Sequence, residues 1–221
     1  MKRFFDILFS SLAILVVSPL LIPIIIILKL TGEHYIFYAQ ERMGKDEKPF
    51  SALKFATMLK NSPNMAGASV TKRDDPRVLP FGKFLRKTKI NELPQLFNIW
   101  LGDMSVVEPR PLTVEQYFNY SKGQRENISK LTPGLTGIGS LIFRDEETIM
   151  ERSGMDYNEI HDTIIAEYKG NLESWFYNNN TLNNYFKIII FTAWSVIKSN
   201  TNFRPHFKNL PEPKGILEKL L

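Results

Sequence analysis

Between Ile7 and Leu28 the chain carries no charged side chain, and Pro19 and Pro23 fall inside that apolar run. A helix of about 22 residues at ~1.5 Å each is roughly 33 Å long, enough to cross a hydrocarbon core. Each proline removes a backbone donor and crowds the preceding turn, so Ser18-Pro19 is expected to kink or break the helix. Lys2 and Arg3 precede the run and Lys29 follows it, which leaves no charge bias between its ends. A helix that dips into one leaflet, hinges at Ser18 and Pro19 and returns to the same face satisfies both facts; an ordinary single span is the alternative. A cleaved signal fits poorly, because the run is long and no small-x-small pattern follows it before Lys29. Residues 1–32 are therefore expected to form a re-entrant membrane helix, and residues 33–221 one membrane-associated domain.

That remainder has room for one domain with its own core. Tyr35, Phe37 and Ala39 alternate ahead of Gly44 and KDEKPFSALKFATM, which predicts two short strands around a turn. NSPNMAGASVTKRDDPRVLPFG and LTPGLTGIGS are rich in turn formers and read as loops. Apolar spacing from Lys83 to Leu101 predicts helices, with Pro94 accommodated in a first turn. The acidic run beginning RDEETIMERSG predicts a helix from about Thr148 or Asp156, and its carboxylates read as a solvated helix start. NNYFKIIIFTAWSVIKSN, with Trp194 between Lys187 and Lys198, is an amphipathic helix that either packs on the core or lies at a membrane surface. The expected class is α+β, mainly α: a re-entrant membrane helix, a small cytosolic domain of catalytic type and surface amphipathic helices.

Charge and cysteine content narrow the chemistry. With 28 Lys+Arg against 23 Asp+Glu the chain has a net charge of +5, which favours anionic partners. There is no cysteine, so thiolate metal sites are excluded. His34, His161 and His206 are scattered without metal-ligand spacing. A nucleic-acid binder would interleave aromatics with its cations; KRDDPRVLPFGKFLRKTK interleaves acids instead, so no nucleic-acid partner is expected.

The densest polar segment runs from residue 72 to residue 111 and contains Lys72, Arg73, Asp74, Asp75, Arg77, Arg86, Lys87, Lys89, Glu92, Asp103, Glu108 and Arg110. Arginines bind phosphate oxygens in a bidentate fork, and a few carboxylates among them can hold a divalent cation bridging those oxygens. This is chemistry suited to a pyrophosphate. No glycine-rich phosphate loop is present, so side chains would have to hold a nucleotide.

The ordered set KFATM (54–58), DDPRVLPFGKFLRKTKINELPQLFN (74–98), GDMSVVEPRPL (102–112) and LTPGLTGIGS (131–140), behind an apolar segment with Ser-Pro in its middle, resembles the bacterial sugar transferases, the monotopic polyprenyl-phosphate phosphoglycosyl transferases. The resemblance covers nearly the whole chain. It implies a membrane helix hinged at Ser18-Pro19 and a domain on the cytoplasmic face of the bacterial inner membrane, against inner-leaflet lipid. It also implies transfer of a phosphosugar from a UDP-sugar to undecaprenyl phosphate with release of UMP, in two steps through an acyl-phosphate on the Asp of an Asp-Glu pair, with Mg²⁺ held by the Glu. Carried over residue by residue, that pair falls on Asn91 and Glu92. The phosphate- and substrate-binding residues fall on Arg86, Lys54, Arg77 and the loop Pro109, Arg110 and Pro111.

Three residues depart from the pattern: Asn91 stands where Asp is expected, Ala56 where a basic residue is, and Glu108 where Gly is. An amide oxygen is neutral and a far weaker nucleophile than a carboxylate, and the missing charge weakens Mg²⁺ binding. The chain is then expected either to use another nucleophile, with Glu92 ahead of Asp103 and Glu108, or to align the lipid phosphate for direct attack. The alternative is a non-catalytic relative that serves a homologous transferase as a partner. Glu108 either returns a carboxylate to the pocket or is a surface substitution in a loop.

Overall fold

The computed structural model describes residues 1–65, 75–198 and 201–221. Residues 66–74, which include Lys72, Arg73 and Asp74 of the polar cluster, lie outside the described residues. In chain order the elements are α1 (Lys2–Leu30), β1 (Phe37–Met43), β2 (Pro49–Phe55), α2 (Pro80–Lys87), α3 (Gln95–Leu101), β3 (Ser105–Val107), α4 (Val114–Phe118), α5 (Lys122–Ile128), β4 (Gly134–Thr136), α6 (Ile138–Ile142), α7 (Glu146–Ser153), α8 (Tyr157–Glu159), α9 (Ala166–Asn178), α10 (Leu182–Ile197) and α11 (Ile216–Leu220). The class is mainly helical α+β, as expected. The chain forms two compact units: Met1–Glu41 with Ser51–Met104, and Arg42–Phe50 with Ser105–Leu221.

In the first unit α1 is one helix through both prolines. Pro19 has no N–H for the carbonyl of Leu15 four residues back, and the Ser18 hydroxyl donates to that carbonyl at 2.9 Å. The expected break is thus a substituted hydrogen bond inside a continuous helix. α1 is long and apolar enough to cross a membrane, and most of its apolar window is exposed. Its C-terminal half buries Leu21, Ile24 and Leu28 against Phe55 and Leu85. Its N-terminal half instead buries polar residues, Asp6 and Ser10, on the stretch that packs on α3.

α3 is fastened to β2 by one side chain. Asn98 accepts from the Leu53 amide through Oδ1 at 2.9 Å, and its Nδ2 donates to the Ser51 carbonyl at 2.9 Å. A buried primary amide satisfies a strand edge on both counts, which an apolar side chain cannot do. β1 pairs with β2, matching the two-strand expectation.

The second unit is built on a parallel pair, β3 beside β4, with Ser105 opposite Gly134 and Val107 opposite Thr136. This corrects the reading of LTPGLTGIGS as loop: Gly134–Thr136 is strand and α6 begins at Ile138. A three-residue strand is too short to show alternation, and its partner lies 29 residues earlier. Capping boxes at Thr113 with Gln116 and at Ser121 with Gln124 start α4 and α5. The acidic helix starts earlier than expected, at Glu146, and Asp156 caps α8 by accepting from the amides of Asn158 and Glu159. Between α8 and α9 the backbone is π-helical over Ile160–Ile165. α9 and α10 contribute the fully buried Leu172, Phe176, Tyr185 and Ile188. α10 therefore packs on the core along one face, while Ile190, Trp194, Val196 and Ile197 stay exposed on the other.

Candidate active site

The sequence-predicted residues divide between the two units. Lys54, Arg77, Arg86, Asn91 and Glu92 belong to the first; Glu108, Pro109, Arg110 and Pro111 belong to the second.

In the first unit the chain leaves α2 through Thr88, takes Lys89 at φ 59°, and turns through a single 3-10 turn, Ile90–Glu92, into α3. That left-handed residue reverses the chain so that Asn91 points inward and Glu92 stays partly exposed. Asn91 is 6% exposed, and its Oδ1 has no hydrogen-bond partner among the described residues. An orphaned buried acceptor costs about 1–3 kcal/mol, so this turn is a place that a donor or a cation would stabilise. Asn91 and Glu92 are adjacent oxygen donors, and a Mg²⁺ that arrives with a diphosphate needs only one or two protein ligands. Among the described residues no group of three or more His, Cys, Asp or Glu gathers as a self-sufficient metal cage. The donor set suits a cation shared with a substrate.

The cations of the first unit are not equivalent. Arg77 is engaged with Asp75: Nε lies 3.0 Å from Oδ1 and Nη2 lies 2.6 Å from Oδ2. The Arg77 hydrogen bonds, with a smaller contribution from the nearby Arg86 charge, hold the Asp75 carboxyl below its ordinary range. Arg77 thus stiffens the loop before α2 with the fork that a phosphate would use. Lys54 donates to Gln40 Oε1 at 3.0 Å. Ala56 is buried, with its amide bonded to the Ile36 carbonyl at 2.9 Å.

In the second unit Pro109, Arg110 and Pro111 line a small recess together with Met43, Tyr117 and Leu131. Tyr117 is buried: its hydroxyl donates to Glu47 Oε1 at 2.8 Å, and burial followed by that hydrogen bond pushes its pKa up to about 12. Arg110 is exposed at the rim.

Glu108 is not a surface substitution. It is 5% exposed, and Asn180 Nδ2 donates to both of its carboxylate oxygens, at 3.2 and 3.3 Å. Sequence reasoning missed a second buried acid, Glu173 on α9, which burial first of all pushes from the usual 4.5 up to about 8. The backbone N–H of Gly139 and the charge of Lys169 oppose that rise, and the charge of Glu108 adds to it. Nothing in the polar pattern around Glu173 marked it as buried. The acidic stretch read as a solvated helix start is also engaged: Glu146 receives Lys169 Nζ at 2.7 and 2.8 Å. Trp175 is buried and donates to the Lys208 carbonyl at 3.2 Å, whereas Trp100 is exposed.

Comparison with known proteins gives these features a context. The sequence profile described as bacterial sugar transferase matches residues 1–199. A UDP-glucose:undecaprenyl-phosphate glucose-1-phosphate transferase of Klebsiella pneumoniae is 38% identical over 157 residues, 68% of this chain and 33% of that protein. An exopolysaccharide production protein of Sinorhizobium fredii is 33% identical over 181 residues, 75% of this chain and 80% of that protein. An undecaprenyl-phosphate galactose phosphotransferase of Salmonella typhimurium is 32% identical over 212 residues, 90% of this chain and 40% of that protein. The chain thus spans well under half the length of two of these relatives and most of the third. The chain belongs to the bacterial sugar transferase family.

Proposed function

We propose that this protein is a phosphoglycosyl transferase that moves a phosphosugar from a UDP-sugar to undecaprenyl phosphate and releases UMP, as the first membrane step in making an exopolysaccharide, capsule, O-antigen or related glycoconjugate. The substrate classes come from the relatives in Klebsiella and Salmonella, which act on undecaprenyl phosphate. The observation that carries the reading is the 3-10 turn that joins an orphaned, buried Asn91 Oδ1 to the carboxylate of Glu92.

Asn91 is the wrong group for attack on phosphorus: its oxygen is neutral, and the adduct would be an imidate ester. Glu92 is the nucleophile in this proposal. One of its carboxylate oxygens bonds to the sugar-bearing phosphorus while the bond from that phosphorus to the bridging oxygen breaks, and UMP departs with the electron pair. An oxygen of undecaprenyl phosphate then bonds to the same phosphorus, and the bond to Glu92 breaks to restore the carboxylate. Asp103, which Asn98 Nδ2 approaches at 3.4 Å, and Glu108, held by Asn180, are the less suited carboxylates. Mg²⁺, held by Glu92 with Asn91 Oδ1, would neutralise charge on the diphosphate. Arg86 and Lys54 supply the cationic surroundings in the first unit, while Arg77 orders the loop through Asp75; Arg110 of the second unit is in this proposal a ligand for substrate phosphate.

Residues 1–32 serve in this reading as a re-entrant anchor with Ser18-Pro19 at its hinge. Residues 33–221 form the working domain on the cytoplasmic face of the bacterial inner membrane, in contact with inner-leaflet lipid. A second reading is favoured by Asn91 itself: a lapsed transferase that still binds ligand and acts as partner to a homologous active subunit.

UMP release from a panel of UDP-sugars, with purified protein, undecaprenyl phosphate and Mg²⁺, separates the two. Turnover by the wild type that Glu92→Gln abolishes supports the Glu92 route. Turnover that survives Glu92→Gln sinks that route, and turnover confined to Asn91→Asp selects the lapsed transferase.

A further inference from the structure

The second unit buries a carboxylate where the family pattern calls for glycine, and burying a charge costs several kcal/mol unless it is paired and hydrogen-bonded. Glu108 is that carboxylate, and it immediately precedes Pro109-Arg110-Pro111. We infer that Glu108 and Asn180 are positioning residues that lock the Arg110 turn in its binding geometry, fastening the end of β3 to the connection between α9 and α10. The inference rests on the proposed role of Arg110 toward a UDP-sugar.

The backbone around Glu108 is held from one side already. Its amide donates to the Thr136 carbonyl at 3.0 Å, and the Gly134 amide donates to the Pro109 carbonyl at 2.7 Å. A Cβ on Gly134 would lie 2.3 Å from the Glu108 nitrogen and oxygen, and one on Gly137 would lie 2.3 Å from the same oxygen. The main chain of β4 and the start of α6 therefore press directly on residue 108 with no side chain between. Its side chain meets Asn180, two residues past the end of α9.

Pro109 and Pro111 fix φ on both sides of Arg110. A turn with two prolines, a glycine-clamped backbone and a buried side-chain tether presents its one arginine with little freedom. Pre-ordering of this kind improves affinity by reducing what binding must immobilise. Asn180 has the donor geometry for the task, and its Oδ1 makes no hydrogen bond among the described residues, so the amide is turned toward Glu108 by that contact.

The test uses the full chain in detergent and compares wild type, Asn180→Ala and the exchange pair Glu108→Gln with Asn180→Asp, which reverses donor and acceptor. Two quantities are read: the Kd of UDP-glucose and UDP-galactose by calorimetry, and amide exchange at Gly134 and Arg110. Asn180→Ala is expected to weaken binding by about tenfold and to speed exchange at both amides by a similar factor, a loss of roughly one hydrogen bond's worth of order. The exchange pair is expected to recover most of both. Wild-type binding and exchange in a folded Asn180→Ala protein would overturn the inference. If that variant does not fold, the exchange pair decides: recovery supports the lock, and failure to recover overturns it. If the wild type binds neither nucleotide sugar, the proposed function fails on its own, and amide exchange still tests whether Asn180 holds the turn.

Discussion

The guanidinium of Arg3 donates to the backbone carbonyl of Trp100 at 2.7 Å and also to that of Ile99. The second residue of α1 thereby satisfies carbonyls that the end of α3 leaves open, and a cation there also suits the negative end of the helix dipole. Gly102, at φ 108°, leaves room for it: a Cβ there would come within 3.4 Å of Arg3 Nη2.

Removing this contact should loosen α3 from its C-terminal end. Arg3→Ala is expected to cost about 1.5–3 kcal/mol, the range for hydrogen bonds to a charged group. The check is thermal unfolding in detergent, together with faster exchange at the Gly102 and Met104 amides, both of which donate to the Asn98 carbonyl. Arg3→Lys should recover only part of the loss, because an ammonium cannot reproduce the fork.

Restoring the carboxylate in the inter-helix turn is the corresponding gain-of-function test. Asn91→Asp is expected to raise UMP release at least about tenfold, a barrier change of ~1.4 kcal/mol or more, and to lower the Mg²⁺ concentration needed for half-maximal rate. A rate equal to that of the wild type would place the rate-limiting chemistry away from residue 91.

Glu173 gives a stability profile with a definite sign. The folded chain holds a proton there up to about pH 8, whereas an unfolded chain releases it near 4.5. Between those values the folded state binds more protons, so stability falls as pH rises through the window and is level above it. The full drop from this residue is on the order of 5 kcal/mol from the pKa difference. Glu173→Gln should flatten the Tm profile from pH 5 to 8.5, and a profile that stays steep would assign the slope to other groups.

The chain has no cysteine, so single thiols report topology cleanly. With Lys2→Cys and Lys214→Cys introduced separately, a re-entrant anchor leaves both thiols open to a membrane-impermeant reagent from the same face of oriented vesicles. Labelling from opposite faces would make α1 a simple span. Pro19→Leu is expected to shift the population toward the span.

What the sequence disclosed depended on how local each signal was. β1 and β2 were legible because alternating residues and a turn lie within twenty positions, and α10 because its apolar run has helical length. β4 was not, since its three residues pair with a strand beyond two helices. The acids show the same limit. Glu92 could be singled out from its motif, but Glu173 sits in a polar stretch whose burial arises only when α6 and the residues after β3 meet α9. Asn98 reads as a polar interruption of an apolar helix, and its role emerges only from the Ser51 and Leu53 backbone 45 or more residues away.

The tip of the β1–β2 hairpin has a consequence for how this chain is made. Asp46 donates its amide to the Ser129 carbonyl, and Met43 donates to that of Leu112. At synthesis rates of about 5–20 residues per second, the partner of Asp46 leaves the ribosome roughly 4–16 seconds after Asp46 itself. The tip is therefore translated well ahead of its partners and acquires the last of them when about a quarter of the second unit has been made. A ribosome stalled before residue 112 would hold a nascent chain whose hairpin tip is still bonded to water, which makes that tip the natural place to probe for chaperone contact during translation.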